Sequence, residues 1–112
     1  MSEKRKHKRA ILMSYLDIYD TGSETEVGYV VDISHGGMLL ISRDEIPIDQ
    51  SFTYTIEIPS EIKESGVLSV TAVSIRCIQD DFLDYYNTGF SFEDLSAEDL
   101  KVVDNIVAAF EL

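Results

Sequence analysis

Residues 26–42 read Glu26-Val27-Gly28-Tyr29-Val30-Val31-Asp32-Ile33-Ser34-His35-Gly36-Gly37-Met38-Leu39-Leu40-Ile41-Ser42. Two apolar runs flank a polar cluster too short to hold a helix. The stretch therefore reads as a strand over 26–33, a tight connection, and a second strand over 37–42. In a hairpin of this kind Asp32 or Ser34 bonds nearby backbone, and the glycines supply positive φ.

The same reading extends outward in both directions. Upstream, residues 10–19 are apolar and aromatic and end at Asp20-Thr21-Gly22-Ser23. Downstream, residues 51–58 alternate, with Phe52, Tyr54, Ile56 and Ile58 on one face and Thr53, Thr55 and Glu57 on the other. Pro59 stops that strand, and 59–66 is a turn with room for a short helical piece. Residues 67–78 form a long strand, and 85–92 a last one after an acidic turn.

One helix, predicted over 97–110, closes the chain. Ser96 is positioned as its N-cap, Glu98 and Asp99 place negative charge in the first turn, and Leu95 can staple against Leu100. Leu100, Val103, Ile106, Val107 and Phe110 form one apolar stripe, which suits either core packing or a homodimer surface. Six short strands and a terminal helix predict a mainly β fold, a small six-stranded antiparallel barrel with one C-terminal α-helix. At 112 residues this is one domain, 10–112, preceded by a basic arm, 1–9.

Composition narrows the function classes. No apolar run approaches the roughly 20 residues of a membrane span, and no signal peptide follows the basic start. The expectation is a cytoplasmic protein without a membrane partner. The single cysteine, Cys77, excludes an internal disulfide and reads as a buried core thiol.

The net charge of −12 is unevenly spread. Residues 1–9 carry Lys4, Arg5, Lys6, Lys8 and Arg9 against Glu3, a net of +4, which leaves −16 for the remainder. An acidic body repels a phosphate backbone and argues against nucleic acid. A local cationic patch still suits a small anion, because screening acts within about 8–10 Å at physiological salt.

Catalytic signals are sparse. Asp80-Asp81 and Glu93-Asp94 fall at a turn and a strand end, where solvated carboxylates are expected. His7 and His35 lack neighbours at metal-ligand spacing, and no phosphate loop, nucleophile elbow or dinucleotide fingerprint occurs. We expect no enzyme, no metal and no cofactor.

Two segments carry the recognition chemistry. Arg5 and Arg9 stand four residues apart just before the first strand, a span of up to about 13–14 Å in extended chain. Guanidinium groups bind phosphate bidentately, stack on purines and donate to guanine N7 and O6. In Asp32-Ile33-Ser34-His35-Gly36-Gly37, a carboxylate can accept from the donor edge of guanine, and a serine hydroxyl offers another contact. Gly37 lets a ligand approach the backbone. Each segment alone is also explained blandly, as a solvated tail and as a hairpin.

Together they resemble the PilZ domain, a bacterial receptor for cyclic di-GMP, whose signature is Arg-x-x-x-Arg followed after about twenty residues by Asp/Asn-x-Ser-x-x-Gly. Here these are Arg5/Arg9 and Asp32/Ser34/Gly37. The likeness extends to residues 27–31 and 36–40 as the second and third strands. Ala72-Val73-Ser74-Ile75-Arg76 is similar to the strand with the family's frequent Val-x-Arg pattern, and 87–92 to its closing Gly-x-x-Phe strand. One departure is Asp49-Gln50, where relatives often carry glycine.

The resemblance implies a six-stranded barrel whose arginine loop wraps over cyclic di-GMP. Arg5 and Arg9 would take phosphates and guanine edges, Asp32 and Ser34 would contact guanine, and Gly37 would permit its approach. Lys4 and Gly36 are accessory positions, Lys4 bearing on whether one or two ligand molecules bind. With no second domain in the chain, the expected output runs through an effector protein that reads the ordered arm. The alternative is a PilZ-like interaction adaptor that does not use the nucleotide.

Overall fold

A computed structural model of the chain describes residues 9–59 and 66–110; the side chains of 9–15 and 110 lie outside the description. The expected elements form β1 (Arg9–Asp20), β2 (Glu26–Ser34), β3 (Gly37–Ser42), β4 (Ser51–Glu57), β5 (Val67–Gln79), β6 (Tyr86–Glu93) and α1 (Ala97–Phe110). Every pairing is antiparallel, and the order β1-β2-β3-β6-β5-β4 closes on itself through β4 and β1. Closure leaves no sheet edge to template aggregation.

The alternation expected of residues 51–58 holds: Tyr54, Ile56 and Ile58 are buried, while Thr53 and Glu57 are exposed. Phe52 stacks on Tyr54 with centroids 5.4 Å apart, and Phe90 meets both rings edge-on. Ile18, Val30, Ile33, Leu40, Leu68 and Val70 complete much of the interior. One strand face per element thus goes into the barrel, and burying each large aliphatic side chain contributes about 1.5–3 kcal/mol.

The helix stripe belongs to the core. Val102, Val103, Ile106 and Val107 are buried with the barrel residues, and Leu95 packs against the same cluster. Ser96 caps as expected: Asp99 N donates to its Oγ at 3.0 Å, and Leu100 N to its carbonyl at 2.9 Å.

Three expectations need correction. Gly37 does not supply positive φ to the hairpin, unlike Gly66 at φ 81°. Its glycine is needed because a Cβ there would lie under 3.0 Å from Phe90 O, on the neighbouring strand. Cys77 is half-buried instead of enclosed: a register shift between Ser74 and Arg76 breaks the inward alternation of β5 before it, and Thr88 Oγ1 donates to its sulfur at 3.2 Å. Asp80 is more than a solvated carboxylate, since its Oδ1 accepts from Phe82 N and Leu83 N and shapes the β5–β6 loop.

The departure at Asp49 also has a structural meaning. Asp49 sits at φ 62°, the left-handed region that glycine occupies at least cost. Fully buried Ser74 holds this loop, donating to Pro47 O at 2.6 Å and accepting from Gln50 N at 3.3 Å.

Candidate functional site

The candidate site is built on the β2–β3 turn and the start of β1. The last β2–β3 pair is Ile33–Met38, so residues 34–37 make the connection. Ser34 organises it: Gly36 N donates to Ser34 Oγ at 3.3 Å, and Ser34 Oγ reaches Gly37 O at 3.5 Å. This hydroxyl-built turn does the work assigned to left-handed glycine. Phe92 N then donates to Gly36 O at 2.9 Å, fixing the turn against β6.

Asp32 is only 7% exposed, although its neighbour Ile33 is also buried. Both can be buried because β2 bulges against β3 and leaves Val31 unmatched: Val30 and Ile33 lie opposite buried Leu40 and Met38 on the core face, while Asp32 lies opposite half-buried Leu39 on the other face. The bulge re-aims the carboxylate without disturbing the core placement of Val30.

The β1–β2 register brings the second arginine of the signature to the turn. Arg9 pairs with Ser34 and Ile11 with Asp32, and β1 then bulges before resuming at Leu16–Val30. Arg9 is thus the first residue of β1, which begins one position before the start expected at Ala10. Lys4 and Arg5 lie outside the described residues, as does the Arg9 side chain. The backbone therefore assembles Arg9, Asp32, Ser34, Gly36 and Gly37 at one end of the barrel.

A further residue reaches this turn. His35 Nε2 lies 3.8 Å from Asp104 Oδ1 of α1, linking the turn to the helix. Among the described residues no group of three or more histidine, cysteine, aspartate or glutamate side chains could hold a metal ion. No helix among them is long and apolar enough to cross a membrane.

Sequence reading passed over a second surface feature. Phe82 is 95% exposed on the Asp80-shaped loop, beside exposed Leu83 and Tyr85. An apolar pair enclosed by Asp80, Asp81 and Asp84 was the available signal.

Comparison with known proteins matches this fold. Solved structures of other proteins share the fold. The Bacillus subtilis inhibitor of motility, MotI/DgrA, superposes with a TM-score of 0.77 at 18% identity, over 96% of this chain and 51% of that one. The PilZ domain of YcgR from Escherichia coli, solved with c-di-GMP, gives 0.70 at 17% identity, over 97% and 92%. The K. pneumonia MrkH–c-di-GMP complex gives 0.72 at 17% identity, over 96% and 52%. The chain spans about half the length of the MotI and MrkH chains. No curated protein matches the sequence. The PilZ domain family pattern matches residues 3–109, nearly the whole chain, and the barrel, its bulged β2 and its serine-built turn all lie within that match: the chain belongs to the PilZ domain family.

Proposed function

We propose that this chain is a receptor for cyclic di-GMP, bound by Arg5 and Arg9 together with Asp32, Ser34 and Gly37. The observation that carries the reading is the β1–β2 register, in which Arg9 starts its strand opposite Ser34 and two residues from the partner of Asp32. A ligand seated at the turn therefore meets a guanidinium-bearing strand and a carboxylate-bearing strand side by side. YcgR and MrkH, relatives in fold, were solved with this nucleotide.

Each group has a defined task in this account. The Asp32 carboxylate accepts from guanine N1–H and the exocyclic amine, a pairing worth about 1–3 kcal/mol against the wrong base. Ser34 adds a hydroxyl contact, and Lys4 and Gly36 border the site. Arg5 and Arg9 hold the phosphates through charge-assisted forks and can stack on the purine faces. The basic segment of residues 1–9 closes over the turn as the dianion binds, and a partner protein reads the altered surface. Binding, with no catalytic step, is the activity.

Substitution tests the assignment. Arg9→Ala and Asp32→Ala should each weaken cyclic di-GMP binding at least tenfold, whereas Lys63→Ala should leave it unchanged. Equal affinities for all three variants would place the ligand elsewhere.

A further inference from the structure

We propose that a groove at the opposite end of the β2–β3 hairpin docks a basic segment of a partner protein through apolar anchors. The groove, about 550 Å³, lies between the first residues of β2, the last residues of β3 and the β5–β6 loop. Val27, Tyr29 and Ile41 line it from the sheet, and Leu83 and Tyr85 from the loop. Tyr29, Leu83 and Tyr85 are all exposed, and Phe82 of the same loop is almost fully so.

This apolar surface is held in place. Asp80 Oδ1 accepts from Phe82 N at 2.8 Å and Leu83 N at 3.0 Å, and Asp80 N donates to Tyr85 O at 2.9 Å. An ordered loop that displays Phe82 and Leu83 forgoes their burial in its own fold. Exposed aromatic clusters with a polar rim mark interaction surfaces.

Charge selects the occupant. Glu26 and Asp44 line the groove, exposed Asp81 and Asp84 flank Leu83 along the loop, and Arg43 is the one cation among the lining residues. Residues 10–112 carry −16. Such a rim repels phosphate backbones and anionic lipid, and it repels the same face of a second copy. It attracts lysine and arginine, so the fitting partner is a basic segment with one or two large apolar side chains.

The inference takes from the receptor reading only that the chain has a protein partner. Gly28 of the groove is six residues from Ser34 along β2, roughly 20 Å, so the two sites can be tested separately.

The experiment titrates the full chain into a fluorescein-labelled synthetic peptide of lysines and arginines around two leucines, read by anisotropy. Parallel peptides replace the leucines with serine or the basic residues with glutamate. The expected result is saturable binding of the basic leucine peptide, weakened roughly tenfold or more by F82S/L83S. D44N/D84N should weaken it severalfold, and the charge-matched E57Q/E98Q should do so much less.

Four results would overturn the proposal. One is equal binding of the serine peptide, or equal loss in E57Q/E98Q, which makes the attraction bulk charge. Another is preference for the glutamate peptide. A dimer in sedimentation that F82S/L83S dissolves would make a second copy the occupant. A shift of the Leu83 and Tyr85 resonances in K4S/K6S/K8S without peptide would make it the chain's own arm. Cyclic di-GMP titrated into the parent chain and into F82S/L83S separates the two readings: a parent chain that binds the nucleotide but shows no preference for the basic leucine peptide sinks the groove alone, whereas nucleotide binding kept in F82S/L83S as peptide binding falls supports it.

Discussion

Gly37→Ala tests the local geometry of the candidate site most sharply. A Cβ at this position would lie under 3.0 Å from Phe90 O, 3.1 Å from Phe90 C and 3.4 Å from Ser91 Cα. These are backbone atoms of β6, so no side chain can rotate away. Restoring ordinary contact requires β3 and β6 to separate by about 1 Å near the turn. That displacement would stretch the Phe92 N–Gly36 O bond, 2.9 Å in the structure, beyond useful length.

Overpacking costs about 1–3 kcal/mol, and the lost hydrogen bond adds about 0.5–1.5 kcal/mol. The expected destabilisation is about 2–4 kcal/mol, a fall in Tm of roughly 10–20 °C for a domain of this size. Urea unfolding followed by circular dichroism measures it. Gly28→Ala, facing Ile41 O at the hairpin's other end, should cost a similar amount; Gly89→Ala, with nothing within 4 Å of the new Cβ, should stay within about 0.5 kcal/mol. A Gly37→Ala midpoint indistinguishable from that of Gly89→Ala would refute the close-approach argument. Measured under folding conditions, nucleotide affinity lost in Gly37→Ala but kept in Gly28→Ala would give Gly37 a ligand role as well.

Further expectations rest on other parts of the fold. Ser74→Ala removes a buried hydroxyl that serves Pro47 O and Gln50 N, and should cost about 1–3 kcal/mol in the same unfolding assay. Ser96→Ala should cost about 0.5–2 kcal/mol and Ser96→Asp much less, because either oxygen can accept from Asp99 N. Burial, with the Asp20 carboxylate adding to it, pushes the Tyr54 hydroxyl up to about 12 from 10.0. The unfolded chain releases that proton first, so stability is full below pH 10 and falls as pH rises toward 12, by up to about 2–3 kcal/mol. Tyr54→Phe should flatten that decline in unfolding free energy, and a slope identical to the parent's would locate the titration elsewhere.

Much of the barrel was legible because one face of most strands is polar and the other is not. Alternation at Phe52–Ile58 and the helical spacing of Val103, Ile106 and Val107 each report a buried face directly. Breaks in alternation were not legible. The β2 bulge that sends Ile33 inward and turns Asp32 to the other face, and the β5 irregularity before Cys77, depend on the neighbouring strand's register, which a single sequence does not display. Gly37 was misread for a related reason, since its requirement comes from Phe90, more than fifty residues away. The pairing of Arg9 with Ser34 is likewise a property of register. The Phe82–Leu83 surface stayed hidden because its carboxylates looked like ordinary solvated loop charge.

The central claim is that the turn and the arginine segment together recognise cyclic di-GMP. Isothermal titration of the full chain with cyclic di-GMP, with cyclic di-AMP alongside, tests it most directly. The account predicts saturable heat with cyclic di-GMP, weakening as salt rises, and little with the adenine analogue, whose donor and acceptor edge does not match Asp32. No heat at high micromolar cyclic di-GMP, or equal binding of both nucleotides, would contradict it.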